Sequence, residues 1–290
     1  MKNRPFHIAM LMLAMLMPLR ALAAQDERGE IRFDARAAGI SSYILGNGMK
    51  IILAPYPAAP DVRIELVVKA GSLVEGYGET GMAHLLEHML FKGAGTRASV
   101  KADLNKLGAR WNATTTADRT SYFEVLPADS DRVAEALRIE ADRFLRAGFT
   151  RADLSSEMTV VRNEMERNDS NPNSVVMRAL QRQSFFWHGY GRPTIGARSD
   201  VEGVDFDALQ SFYRRHYRPD NAFLLVSGNF DSSRVLAQVL ELFGQARNPS
   251  TGKPVAATHE EPHAVTNRSE VYLHAGVTLA ASAWKIPAAY

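Results

Sequence analysis

Residues 81–93 read GMAHLLEHMLFKG. Met82, Leu85, Leu86, Met89 and Leu90 recur at helical spacing, which predicts a helix over residues 82–91 with one apolar face, ended by Gly93 and Gly95. On that helix His84 and His88 lie one turn apart and project from the same side. Two imidazoles so placed can bind one metal ion at Zn–N distances of about 2.0–2.1 Å. Glu87, three residues after His84, can reach a water on such an ion without being a ligand. The apolar face would bury and hold the histidines rigid.

Outward from this stretch, strands and helices mix without strict alternation. Ser42 to Leu45 and Met49 to Ala54 flank Gly46-Asn47-Gly48, a strand-turn-strand signal, and residues 25–40 read as a polar N-terminal arm. RIELVVK over 63–69 alternates as a strand, and Gly71 to Gly81 is a loop rich in glycine and acid. Residues 99–107 read as helix, and Trp111 to Leu126 as one long strand or a hairpin. Helices are predicted over 129–147, 151–168, 174–187, 206–217 and 232–243, with a buried strand at 222–227 and a loop at 190–196. This pattern predicts an α+β fold with helices packed on a mostly antiparallel sheet.

The ends of the chain read differently. Lys2 and Arg4 precede an apolar run from Ile8 to Met17, and Ala21-Leu22-Ala23 is a small-x-small cleavage pattern. This is the layout of a secretory signal peptide over residues 1–23, too short in its apolar part to span a bilayer. Its removal takes three positive charges and changes the formal net charge from +2 to −1, so nothing in the charge favours a nucleic-acid partner. No later stretch is long and apolar enough to cross a membrane, and the mature chain is expected to be exported, in a double-membraned bacterium to the periplasm. The domain reading is 24–244 for the body, 245–270 for a polar linker with Pro249, Pro254 and Pro262, and 271–290 for the opening of a second, incomplete domain.

Among 290 residues there is no cysteine, so disulfides, thiolate metal sites and a cysteine nucleophile are excluded. A metal site must use His, Asp and Glu, and a catalytic zinc wants three protein ligands and an open position. The helix over 151–168 offers Glu157 and Glu164, seven residues apart on one face; one could ligate and the other orient a histidine, and spacing does not say which. A second run, His259-Glu260-Glu261-Pro262-His263, fits H-E-x-x-H, but that pattern works only on a helix and Pro262 breaks one. It reads as linker. His188, His216 and His274 show no ligand spacing and read as structural or surface residues.

H-x-x-E-H is the inverzincin pattern, and the stretch from Gly81 to Gly93 strongly resembles the pitrilysin family, which includes insulin-degrading enzyme and the mitochondrial processing peptidase. Further matches are Asn112-Ala113 within GARWNATTTADRTSYF, GRPTIG over 191–196 and YRPDN over 217–221, and the similarity runs from about Ile40 to Asp231. The resemblance implies Zn2+ as cofactor, His84, His88 and Glu164 as its ligands, Glu87 as general base and Glu157 as a supporting acid. It further implies that Asn112-Ala113-Thr114 is a sheet edge that pairs with a peptide substrate, consistent with recognition by strand addition. Family members enclose their substrate between two related halves; VTLAASAWKIP over 277–287 resembles the first strand of a second half. The function expected is therefore zinc-dependent endopeptidase activity on oligopeptides or unfolded chains. The rival expectations are a zinc-binding but inactive subunit that needs a second homologous chain, and a periplasmic peptide-binding module.

Overall fold

A computed structural model describes residues 30–253, 258–260, 266–272 and 276–286. Residues 1–23, read as a signal peptide, lie outside the described residues, as do Pro262, His263 and His274.

Seven strands form one sheet: β1 (Ile31–Ala37), β2 (Ile40–Leu45), β3 (Lys50–Pro55), β4 (Asp61–Val68), β5 (Arg110–Thr115), β6 (Thr120–Pro127) and β7 (Ala222–Gly228), in the spatial order β1-β2-β3-β7-β4-β6-β5. All neighbours are antiparallel except β3 and β7, which run parallel. The fold is α+β, as the sequence predicts. The segment over 111–126 is the hairpin β5–β6, whose turn is too polar to continue one strand.

The residues 25–40 are not simply an arm, because Ile31–Ala37 is an edge strand. Its residues are mostly exposed on both faces and it is held by main-chain pairing to β2, so it needs no apolar alternation to announce it. Residues 266–272 and 276–286 form no strand although their pattern is apolar; no neighbouring strand pairs with them there.

Period-two burial decides which face of the sheet is covered. Val62, Ile64, Leu66 and Val68 of β4 are buried and stand opposite Leu126, Glu124 and Tyr122 of β6 and Val226 and Leu224 of β7. The helices α1 (Met82–Met89), α2 (Val100–Lys106), α3 (Ser130–Leu145), α4 (Arg151–Ser170), α5 (Pro172–Ser184), α6 (Arg198–Glu202), α7 (Phe206–His216) and α8 (Ser232–Phe243) are interspersed with the strands: α1 and α2 lie between β4 and β5, α3 to α7 between β6 and β7, and α8 after β7. Leu85, Leu86 and Met89 of α1, Leu137 and Phe144 of α3, Phe212 of α7 and Val239 of α8 join the buried strand residues in one apolar core. On the opposite face Arg63, Glu65, Phe123 and Leu225 are half-buried.

Local signals set the helix ends. Thr150 and Asp153 form a capping box that starts α4. Asn171 caps α5 and Pro172 occupies its first turn, so this helix begins two residues earlier than the spacing predicts. It ends at Ser184 rather than at Trp187, because the N–H groups of Phe186, Trp187 and His188 turn to the carboxylate of Glu260 at 3.1, 2.9 and 2.8 Å. Thus Glu260 of the H-E-x-x-H run anchors a loop, and residues 258–260 are not helical.

The core also contains a charged island. Glu124 of β6 and Glu140 and Arg143 of α3 are each 1% exposed or less. Arg143 donates to Glu140, lies 3.8 Å from Glu124, and stacks between the rings of Phe91 and Tyr122, 4.9 Å from each. Burial raises both carboxyl groups above the usual range, Glu124 further through the charge of Glu140.

Candidate active site

Helix α1 is short, eight residues, and its first turn would leave N–H groups unsatisfied. Gly81 precedes it with φ 90°, a conformation that suits glycine, and a Cβ there would lie 2.7 Å from the carbonyl of Ile195. No side chain of the helix's own start caps it. Instead Glu75, 4% exposed, accepts N–H bonds from Gly81 at 3.0 Å and Ala83 at 2.9 Å. Burial lifts Glu75 to about 7 despite these two bonds. The backbone carbonyl of Glu75 in turn accepts from Arg192 at 2.6 Å, which ties the GRPTIG loop to the same point.

With α1 so fixed, Met82, Leu85, Leu86 and Met89 are buried and His84 and His88 face α4, their rings 4.9 Å apart. Leu154, Val161 and Met165 bury one side of α4, and this presents Glu157 and Glu164 to the histidines. Glu164 Oε2 lies 3.6 Å from His84 Nε2 and 3.8 Å from His88 Nε2. These three side chains bring ligand atoms within 4.8 Å of one another. Glu157 Oε2 instead meets the opposite nitrogen of His88, Nδ1, at 3.2 Å, and its Oε1 pairs with Lys92 Nζ at 2.6 Å. Glu164 thus shares the side of both Nε2 atoms, whereas Glu157 sits behind His88.

Burial, with a contribution from His88, lowers His84 to about 4, so its ring is neutral and keeps a lone pair at neutral pH. Glu87 is raised, first by burial and also by Glu164, against the opposing effects of Thr115 and His88. Its Oε2 accepts a hydrogen bond from Thr115 Oγ1. His84, Glu164 and Thr115 line one cavity of about 310 Å³ together with Asn168, Arg178 and Thr194.

The remaining predicted residues lie beside it. Asn112, Ala113 and Thr114 belong to β5, the last strand of the sheet, which pairs with β6 on one side only among the described residues. Asn112 Oδ1 accepts the N–H of Ala113 at 2.9 Å. His216 is buried and accepts from Arg215 Nε at 3.1 Å, and His188 caps a turn through Tyr190 N, so both are structural as expected.

Sequence reasoning missed Lys92, Thr115 and Glu75. Lys92 follows His88 by four residues, one helical turn, and that spacing was a usable signal. Thr115 adjoins the edge triplet but contacts Glu87 from 28 positions away, and Glu75 lies in a loop legible only as acidic.

Two imidazoles and one carboxylate set close together, with no fourth protein ligand among the described residues and no cysteine in the chain, match the donor set of a catalytic zinc centre. The fold and site therefore define a metallopeptidase-like α+β half module. The chain belongs to the insulinase family, peptidase family M16: the family model matches residues 50–198, and that of the "Peptidase M16 inactive domain" matches residues 203–288. The second match begins before β7, yet β7 pairs between β3 and β4 of the first.

Relatives include an uncharacterized zinc protease of Mycobacterium leprae, 32% identical over 72% of this chain and 47% of its own length. One of Bacillus subtilis is 29% identical over 77% and 54%. A probable mitochondrial-processing peptidase subunit beta of Arabidopsis thaliana is 28% identical over 78% and 42%. Among solved structures, the first half of the periplasmic protease PqqL from Escherichia coli aligns with TM-score 0.70 at 26% identity, over 79% of this chain and 51% of that one. A protease from Helicobacter pylori aligns with TM-score 0.71 at 23% identity, over 75% and 53%, and shows the fold. The chain spans about half the length of the curated relatives it matches. No helix among the described residues is long and apolar enough to cross a membrane.

Proposed function

We propose that this chain carries the zinc site of an endopeptidase that hydrolyses oligopeptides or unfolded polypeptides. The observation that carries the reading is that His84, His88 and Glu164 bring ligand atoms within 4.8 Å of one another, with Glu87 on the same helix face as the histidines. In this reading His84, His88 and Glu164 hold the metal, and Glu157 fixes the ring of His88 through Nδ1, with Lys92 holding the far oxygen of Glu157. Zinc, when bound, supplies Lewis acidity that polarises a carbonyl and acidifies water. Glu87 takes the proton of the attacking water and returns it to the leaving amine, and burial raises its carboxyl above the usual glutamate range. Asn112, Ala113 and Thr114 offer the free edge of β5, where a peptide can add as a further strand through main-chain bonds that are indifferent to sequence.

The proposal includes export: residues 1–23 act as a signal peptide and the body, 24–244, works in the periplasm, joined by a linker over 245–270 to the opening of a second domain at 271–290. A second reading, favoured by the chain's half-length match to its relatives, is a zinc-holding half that cleaves only with a second homologous chain.

Glu87→Gln tests the first reading. Cleavage of an unfolded polypeptide should fall about 10²- to 10⁴-fold, the range for loss of a general base. Cleavage at the wild-type rate would contradict it. Wild-type chain that cleaves only after a homologous second half is added would select the second reading.

A further inference from the structure

We propose that Thr115 is a positioning residue for Glu87, its hydroxyl holding one carboxylate oxygen so that the other is kept in place beside the histidines of the same helix. The inference rests on the reading of Glu87 as general base. Thr115 is the last residue of β5. Its Oγ1 donates to Glu87 Oε2, and among the described residues Glu87 Oε1 has no hydrogen bond. A glutamate side chain has several rotatable bonds, and one anchored oxygen removes much of that freedom before substrate arrives.

The frames of both partners are braced by one short segment. Gly71 packs so closely on the β5–β6 turn that a Cβ there would lie 2.0 Å from the carbonyl of Thr116. Ser72 N donates to Thr116 O at 3.2 Å and Leu73 N to Ala117 O at 2.9 Å, fixing the residues that follow Thr115. Three and two residues later, the side chain of Glu75 holds the first turn of α1 through Gly81 and Ala83. Segment 71–75 therefore ties the end of the strand bearing Thr115 to the start of the helix bearing Glu87. Thr115 also lines the cavity shared with His84 and Glu164. It is the next residue after the edge triplet 112–114, so the strand that pairs with a peptide is the one that orients the base.

Threonine in a strand has a bland explanation as well, since its β-branched shape suits an extended backbone. Thr115→Val keeps that shape and loses the hydroxyl; Thr115→Ser does the reverse. Positioning predicts that Thr115→Val lowers kcat about 10- to 100-fold with KM within about twofold of wild type, and that Thr115→Ser recovers most of kcat. The reverse order, Val active and Ser impaired, would overturn the proposal. Urea unfolding of Thr115→Val, Glu87→Ala and the double variant reads the same bond without catalysis: the two effects should fall short of additive. Full additivity would overturn the assignment whatever the activity. A wild-type rate in Glu87→Gln would instead sink the general-base reading, leaving the unfolding cycle to stand on its own result.

Discussion

The site on α1 and the island at Glu124, Glu140 and Arg143 are built from the same materials, carboxylates set beside nitrogen bases. They lie close along one segment: Phe91, three residues after His88, forms one wall of the Arg143 sandwich. The island closes on itself. Arg143 donates to Glu140, approaches Glu124, and is sealed between two aromatic rings, with all three residues 1% exposed or less. The site on α1 does the opposite. Glu164 approaches the Nε2 atoms of His84 and His88 no nearer than 3.6 Å, and His84 and Glu164 line an open cavity. Carboxylates beside nitrogen groups are common to both, and what distinguishes the site on α1 is a set of close ligand atoms that could hold a metal ion. The contrast also separates two kinds of carboxylate neighbour, since Glu157 is held by Lys92 as Glu140 is held by Arg143, while Glu164 has neither.

The island should answer most strongly to loss of its base. Arg143→Met leaves two buried acids without a counter-charge and should cost about 3–5 kcal/mol in urea unfolding, while the Glu124→Leu/Glu140→Leu/Arg143→Met triple variant recovers much of the loss. An unchanged midpoint in the single variant would mean that the guanidinium does not compensate the pair. The zinc content of the folded single variant should stay at the wild-type level.

The next largest effect concerns Glu75, which braces α1 from outside. Its carboxyl moves from 4.5 to about 7 on folding, so the folded state holds the proton more tightly. The contribution is fully present below pH 4.5 and is lost as pH rises through 7. The stability difference between wild type and Glu75→Gln should therefore shift by about 3 kcal/mol against wild type across that window. A difference independent of pH would show that the two backbone N–H bonds fully offset burial.

Smallest of the three is the effect behind His88. Glu157→Gln should weaken zinc binding about 10- to 100-fold in competition with a chelating dye, with the fold retained. Equal affinity would reduce Glu157 to an ion-pair partner of Lys92, the role Glu140 has toward Arg143.

How legible each cluster was in the sequence follows from how far apart its parts lie. His84, Glu87 and His88 share two turns of one helix, so spacing alone placed them together, and the Glu157/Glu164 pair was legible for the same reason. Which glutamate faces the Nε2 atoms depends on how α4 rolls against α1, and that is set by Leu154, Val161 and Met165. Glu140 and Arg143 read as an ordinary surface pair at i, i+3; only the packing of α3 on β6 buries them. The strand β1 escaped notice because an edge strand exposed on both faces carries no apolar period, and α6 because five residues hold too few turns to show one.

Metal analysis of the purified chain puts the account to its most direct test. The account predicts about one zinc per chain in wild type and in Glu87→Gln, and little in His88→Ala or Glu164→Gln. Zinc retained undiminished in His88→Ala, or lost in Glu87→Gln, would contradict it.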